Sequence, residues 1–174
     1  MLDGAILGKD SIENALQTQK IVISPLKEEN IGPASYDISL SNEFRIFQFC
    51  PTPVLLSENT DYKDYTRKMV VEKGGSMSIH PKTTILGITE EHITLPSDIC
   101  ALLNGRSRFA RMGLFIHITA FLINPGGSTR LVLEIFNSSN YVLQLQPGTK
   151  IGQLVFVKMD GNGKYAGKFL NQEL

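Results

Sequence analysis

The sequence predicts an all-β fold, a sandwich, jelly roll or barrel, with one short helix near the N-terminus. Three observations carry this reading. Short apolar or alternating runs recur at spacings of roughly ten residues, turn-forming Gly, Pro, Asn and Asp separate them, and only one segment has helical spacing. That segment comes first: Asp10 and Glu13 have the spacing of a capping box, and Ile12, Ala15 and Leu16 share a face. Strand candidates follow as Ile21 to Ile23 before Pro25, Tyr36 to Leu40, Phe44 to Phe49, and Met69 to Val71 before Gly74-Gly75. Next come Met77 to Ile79 before Pro81, Thr84 to Ile88, His92 to Leu95 before Pro96, Ile99 to Leu103, and Leu114 to Ile118. Leu131 to Phe136, Tyr141 to Leu145 before Pro147-Gly148, and Ile151 to Val157 complete the set. Ser57 to Lys68 is polar and aperiodic and reads as a surface excursion or lid. Residues 160 to 174 read as a tail that is mobile without ligand.

A chain of 174 residues suits one domain, 1–174, with no room for a second. Seventeen Lys and Arg balance seventeen Asp and Glu, so no long-range field favours nucleic acid or an anionic membrane. Any anion site must be local. Cys50 and Cys100 are too few for a disulfide scaffold and form no Cys-x-x-Cys pair, which points to a reduced, cytoplasmic setting. The N-terminus has no signal-peptide pattern, and no apolar run reaches membrane-spanning length.

The chemistry concentrates in two places. Gly105-Arg106-Ser107-Arg108-Phe109-Ala110-Arg111 offers three guanidinium forks and a hydroxyl, a set suited to polyphosphate. Downstream, Leu131-Val132-Leu133-Glu134-Ile135-Phe136 carries one carboxylate on a strand, sharing a face with Val132 and Phe136. A carboxylate in apolar company suits a group that both takes and gives a proton, and the structural alternative is a glutamate reaching solvent or pairing with an arginine.

These residues belong to an ordered series. Pro33-Ala34-Ser35-Tyr36-Asp37-Ile38 comes first, then Gly105-Arg106-Ser107 through Ala110-Arg111-Met112-Gly113-Leu114, and His117-Ile118-Thr119-Ala120. Val132-Leu133-Glu134, Asn137-Ser138 and Leu145-Gln146-Pro147-Gly148-Thr149-Lys150-Ile151-Gly152-Gln153-Leu154 follow. Over nearly the whole chain the series resembles the deoxycytidine triphosphate (dCTP) deaminases, which share a fold with the trimeric deoxyuridine triphosphatases (dUTPases). The resemblance implies a distorted β-barrel or jelly-roll subunit, a homotrimer with intersubunit active sites, and zinc-free hydrolysis of dCTP to dUTP and ammonia, supplying a precursor for thymidylate. A zinc deaminase needs His-x-Glu or Cys-x-Glu with Pro-Cys-x-x-Cys, and the sequence contains neither. Magnesium is expected only as an ion carried on the triphosphate.

By resemblance, Glu134 is the general base and acid, and Ser107 orients the attacking water with the Ala120 carbonyl as a second anchor. Arg106 and Arg111 hold phosphate oxygens and stabilise the site. Arg108 stands where the family commonly has serine and is a surface residue or a supplementary phosphate contact. The backbone at Val132 and Leu133 reads cytosine, while Tyr165, Lys168 and Gln172 belong to a nucleotide-covering tail. That tail aligns in two ways, since Lys168 could instead occupy the glutamine slot of a Lys-Tyr-x-x-Gln pattern. Ser35-Tyr36-Asp37 is expected to be structural.

Two departures matter. Asn124 stands where both branches usually carry aspartate, and an amide cannot act as a base. This disfavours dUTP pyrophosphatase or bifunctional activity, yet leaves a hydrogen bond to the sugar 3′-hydroxyl within reach. Gly127 replaces a larger, commonly aromatic residue. A trimeric protein that binds dCTP or dTTP without turnover is the rival from a different class.

Overall fold

The structure, a computed structural model, describes residues 5–167, 170 and 172–174. Helix α1 (Lys9–Gln17) buries Ile12 and Ala15. Its N-cap is Gly8, without a side-chain cap, and Asp10 lies inside the first turn. The expected capping box is therefore corrected: Asp10 instead sets a negative charge near the positive end of the helix dipole.

The strands are β1 (Val22–Ser24), β2 (Tyr36–Phe47), β3 (Thr66–Val70), β4 (Met77–Ile79), β5 (Thr84–Thr94) and β6 (Ile99–Gly105). After the one-turn helix α2 (Ser107–Ala110) come β7 (Leu114–Phe115), β8 (Leu122–Ile123), β9 (Ser128–Asn137), β10 (Leu143–Leu145) and β11 (Lys150–Lys158). Among the described residues, nine strands form one antiparallel sheet in the order β7-β9-β5-β2-β11-β6-β8, with β1 beside β5 and β3 beside β2. β4 and β10 pair separately. The sheet curls around a core built from Tyr36, Ile38, Leu40 and Phe44 of β2, Leu131, Leu133 and Ile135 of β9, and Ile151, Leu154 and Phe156 of β11. Each such fully buried side chain contributes about 1.5–3 kcal/mol relative to exposure.

Two pairs of expected strands are single long strands. β2 runs through an irregularity between Leu40 and Phe44, and β5 through one between Ile88 and His92. Side chains supply the ladder bonds lost there. Both carboxylate oxygens of Glu91 accept from the Ser39 N–H, at 3.0 and 2.8 Å. The Thr89 hydroxyl accepts from the Leu131 N–H at 2.9 Å, and Arg130 Nε donates to the Thr89 carbonyl at 2.8 Å. The polar spacers that look like turns in sequence are therefore bulge residues satisfying buried backbone.

Glu91 is fully buried, and desolvation pushes its carboxyl above the ordinary 4.5. A raised carboxyl favours the folded state below the unfolded value and loses that contribution as pH climbs through the folded value. Glu43 has the opposite sign: hydrogen bonds from Lys68 and Arg130 hold it below 4.5, so its contribution is lost as pH falls. Glu91→Gln keeps an acceptor for the Ser39 N–H and removes the titration. Denaturant midpoints measured from about pH 4 to 8 should show the wild type gaining on Glu91→Gln as pH drops toward the unfolded value. Parallel midpoints across that range would contradict the assignment.

Candidate active site

The site starts from the two edges of β9. Leu131, Leu133, Ile135 and Asn137 turn inward and are buried, while Val132, Glu134 and Phe136 are half-buried on the other face. One edge of β9 pairs with β5, and Leu86 stands opposite Glu134. On the other edge β7 pairs only with Phe136 and Asn137. Upstream of Phe136 that edge has no strand partner among the described residues, so the alternating backbone groups of Val132 and Glu134 face side chains or a ligand and not a neighbouring strand. The Val132 N–H points there and donates to Gln172 Oε1 at 3.3 Å.

The turn after β7 fixes the carboxylate. Glu134 Oε2 accepts from the Ile118 N–H at 2.9 Å and the Thr119 N–H at 3.4 Å. Oε1 takes no hydrogen bond, and Glu134 has no cationic partner, among the described residues. The arginine-paired alternative is thus not what this chain shows. Glu134 borders a cleft of about 510 Å³ whose other walls are mostly apolar: Phe47, Tyr62, Leu86, Ile118, Ala120 and Val132, with Thr84, Thr119 and Gln172. A second cavity of about 210 Å³ shares Ala120, Val132 and Gln172 with the first and adds Asn124, Gly127, Thr129, Tyr165 and Leu170. A third, polar cavity of about 270 Å³ joins Glu43, Lys68, His92 and Arg130 to Gln172 and Glu173. Gln172 borders all three.

One chain therefore gathers Glu134, Ala120, Val132, Asn124, Tyr165 and Gln172. Leu133 is placed differently, since it pairs with Gly87 in the ladder and is fully buried in the core. Ser107 opens α2 and is exposed, as are Arg108 and Arg111. Arg106 forms an ion pair with Asp37 at 3.3 Å and donates to the Lys150 carbonyl at 3.2 Å, tying this corner to β2 and β11. None of these four residues lines the cavities around Glu134. Gly113, at φ +80°, ends the α2 turn where a Cβ would come within 3.0 Å of the Ser139 nitrogen. Lys168 lies outside the described residues. The described residues contain no group of three or more His, Cys, Asp or Glu able to hold a metal ion.

Sequence reading missed Tyr62, Phe47, Thr84, Leu86 and Thr119. Leu86 and Thr84 had a signal, because they alternate on β5 opposite Glu134 and Phe136. Tyr62 had only an aromatic ring in a polar stretch, and its approach to the site depends on tertiary structure.

The arrangement is a carboxylate anchored by one oxygen, with the other left for proton transfer, beside an open strand edge able to read the rim of a planar ring. A family model described as dCTP deaminase-like matches residues 6–159. A dUMP-forming dCTP deaminase of Methanobrevibacter smithii is 35% identical, covering 97% of this chain and 91% of that protein. A dCTP deaminase of Aeromonas hydrophila is 40% identical over 86% of this chain and 82% of its own. Among solved structures, a 2′-deoxycytidine 5′-triphosphate deaminase from Agrobacterium tumefaciens superposes with a TM-score of 0.68 at 19% identity. That match covers 88% of this chain and 48% of the Agrobacterium chain, so this chain spans about half its length. A dUTPase from phage phi11 of S. aureus gives a TM-score of 0.51 at 15% identity, covering 85% of this chain and 96% of its own. These structural likenesses show the fold, a distorted barrel of the dUTPase-like type. With its ordered motifs, its fold and its sequence relatives in agreement, the chain belongs to the dCTP deaminase family.

Proposed function

We propose that this chain hydrolyses the exocyclic amine of cytosine in dCTP, releasing dUTP and ammonia. The observation that carries the reading is Glu134, bound through Oε2 to two backbone N–H groups and unpaired at Oε1 among the described residues. Cytosine lies along the β9 edge at Val132, with C4 toward Glu134. Glu134 takes a proton from the attacking water, the water oxygen bonds to C4, and the proton passes to N3. The tetrahedral intermediate then collapses as the C4–N4 bond breaks: Glu134 takes the proton of the C4 hydroxyl, which becomes the uracil carbonyl, and delivers it to the departing amino group to give ammonia. Asn124 and Tyr165 border the cavity for the sugar, and magnesium enters on the triphosphate oxygens of the substrate.

Within one chain Ser107, Arg108 and Arg111 line neither cavity beside Glu134, so we assign them to the site of a neighbouring copy in a homotrimer. Phe115, Ile118, Phe121 and Leu122, each at least half exposed beside the incomplete site, supply apolar surface for that contact. Arg106 stabilises the corner carrying Ser107 through its bonds to Asp37 and Lys150. Formation of dUMP, as named for the Methanobrevibacter relative, requires water to attack phosphorus as well, and Asn124 offers no carboxylate to activate it. Incubation with dCTP and Mg²⁺ should yield dUTP and ammonia in equal amounts without pyrophosphate. Appearance of dUMP and pyrophosphate would establish the bifunctional activity instead, and nucleotide binding without turnover would establish a sensor.

A further inference from the structure

The excursion between β2 and β3 brings one side chain to the site. Tyr62 opens a short 3-10 turn (Tyr62–Tyr65) and forms part of the wall of the Glu134 cleft. The Arg45 guanidinium lies 5.9 Å from its ring centroid, and its hydroxyl donates to the Glu173 carbonyl at 3.3 Å. The residues on both sides of that carbonyl are also held. Leu174 is 5% exposed and packs with Leu86 and Ile88, against Tyr62 and Val132. Gln172 donates its N–H to Thr129 Oγ1 at 2.8 Å and sets Oε1 on the Val132 N–H. Residues 172–174 therefore run from the open edge of β9 to Leu86 and Ile88 of β5, with Tyr62 gripping them from outside the sheet.

We propose that Tyr62 is a positioning residue for nucleotide binding: it docks residues 172–174 over the cleft and keeps the Gln172 carboxamide beside the Val132 edge, from which it turns onto the base when cytosine takes the Val132 N–H. The proposal rests on dCTP being the substrate of this cleft. A covering segment loses conformational freedom when it closes, and a segment already docked has lost part of it before the nucleotide arrives. Tyr62 makes no hydrogen bond to Glu134, so its effect falls on substrate capture and not on proton transfer.

Steady-state kinetics on dCTP with Tyr62→Phe and Tyr62→Ala, together with amide hydrogen exchange at residues 172–174, test this. Tyr62→Ala should raise KM about tenfold while kcat stays within about twofold. Tyr62→Phe, which keeps the ring and loses the hydroxyl, should recover most of that loss. Exchange at 172–174 should quicken in Tyr62→Ala while β5 and β9 stay protected. An unchanged or lower KM in Tyr62→Ala, or a fall in kcat at constant KM, overturns the proposal, as does unchanged exchange. If the wild type releases no ammonia from dCTP, the substrate assignment fails instead, and the exchange measurement still decides whether Tyr62 holds the segment.

Discussion

Glu134→Gln is expected to lower kcat for dCTP deamination by about 10²–10⁴-fold, the range associated with loss of a positioned general acid or base. The substitution isolates the chemistry. Glutamine has nearly the same volume, and its carbonyl can still accept from the Ile118 and Thr119 N–H groups that anchor the carboxylate at 2.9 and 3.4 Å. Leu86 remains opposite on β5, so the cleft keeps its shape. What disappears is the ability to take a proton from water and return it to N3 and ammonia, since an amide oxygen is far too weak a base. Binding should survive, with KM within a few-fold of wild type, because the strand edge at Val132 and the sugar cavity at Asn124 are untouched. Single-turnover ammonia release alongside nucleotide-binding titrations checks both halves. Full ammonia release from Glu134→Gln would leave the family assignment standing and remove the mechanism.

The sequence was most informative where one strand side chain does one job. The alternation of β9 shows in Leu131 through Phe136, and Glu134 stands out as the one carboxylate on that strand's less buried face. Long bulged strands were harder to read. Ser41, Asn42, Glu43, Thr89, Glu90 and Glu91 break the alternation and look like turns, but the bulges continue the strand and Glu91 and Thr89 bond to backbone across them. β8 was missed because Leu122–Ile123 is two residues long and takes its identity from pairing with Leu102 and Ala101. The walls of the cleft were least legible. Tyr62 and Phe47 approach Glu134 from β2 and its following excursion, more than seventy residues upstream, and no local pattern records that meeting.

The distribution of the proposed residues over one chain leads to the second large effect. Ser107 lies on α2 and lines neither cavity beside Glu134, so in the proposed homotrimer a water held by both groups sits between two copies of the chain. Ser107→Ala alone should cost about 10²-fold or more, as expected when a reacting water loses its orientation. Mixed in one assembly, Ser107→Ala and Glu134→Gln should restore activity, because a site with Glu134 from the first variant and Ser107 from the second contains both intact groups. If subunits associate at random in equal amounts, about a quarter of the sites are of this kind and a quarter lack both groups. The measurement is dCTP turnover of doubly tagged, co-expressed protein purified through both tags, set against each variant alone. Tandem purification excludes pure assemblies, so recovered activity should slightly exceed the random fraction. Activity no higher than that of the separate variants would place Ser107 and Glu134 in the site of a single chain, which would require α2 to move toward β9, or would remove Ser107 from the water altogether. Pairing Arg111→Ala with Glu134→Gln distinguishes these outcomes: recovery there but not with Ser107→Ala means that the neighbour supplies the phosphate grip while the hydroxyl has no part in holding water.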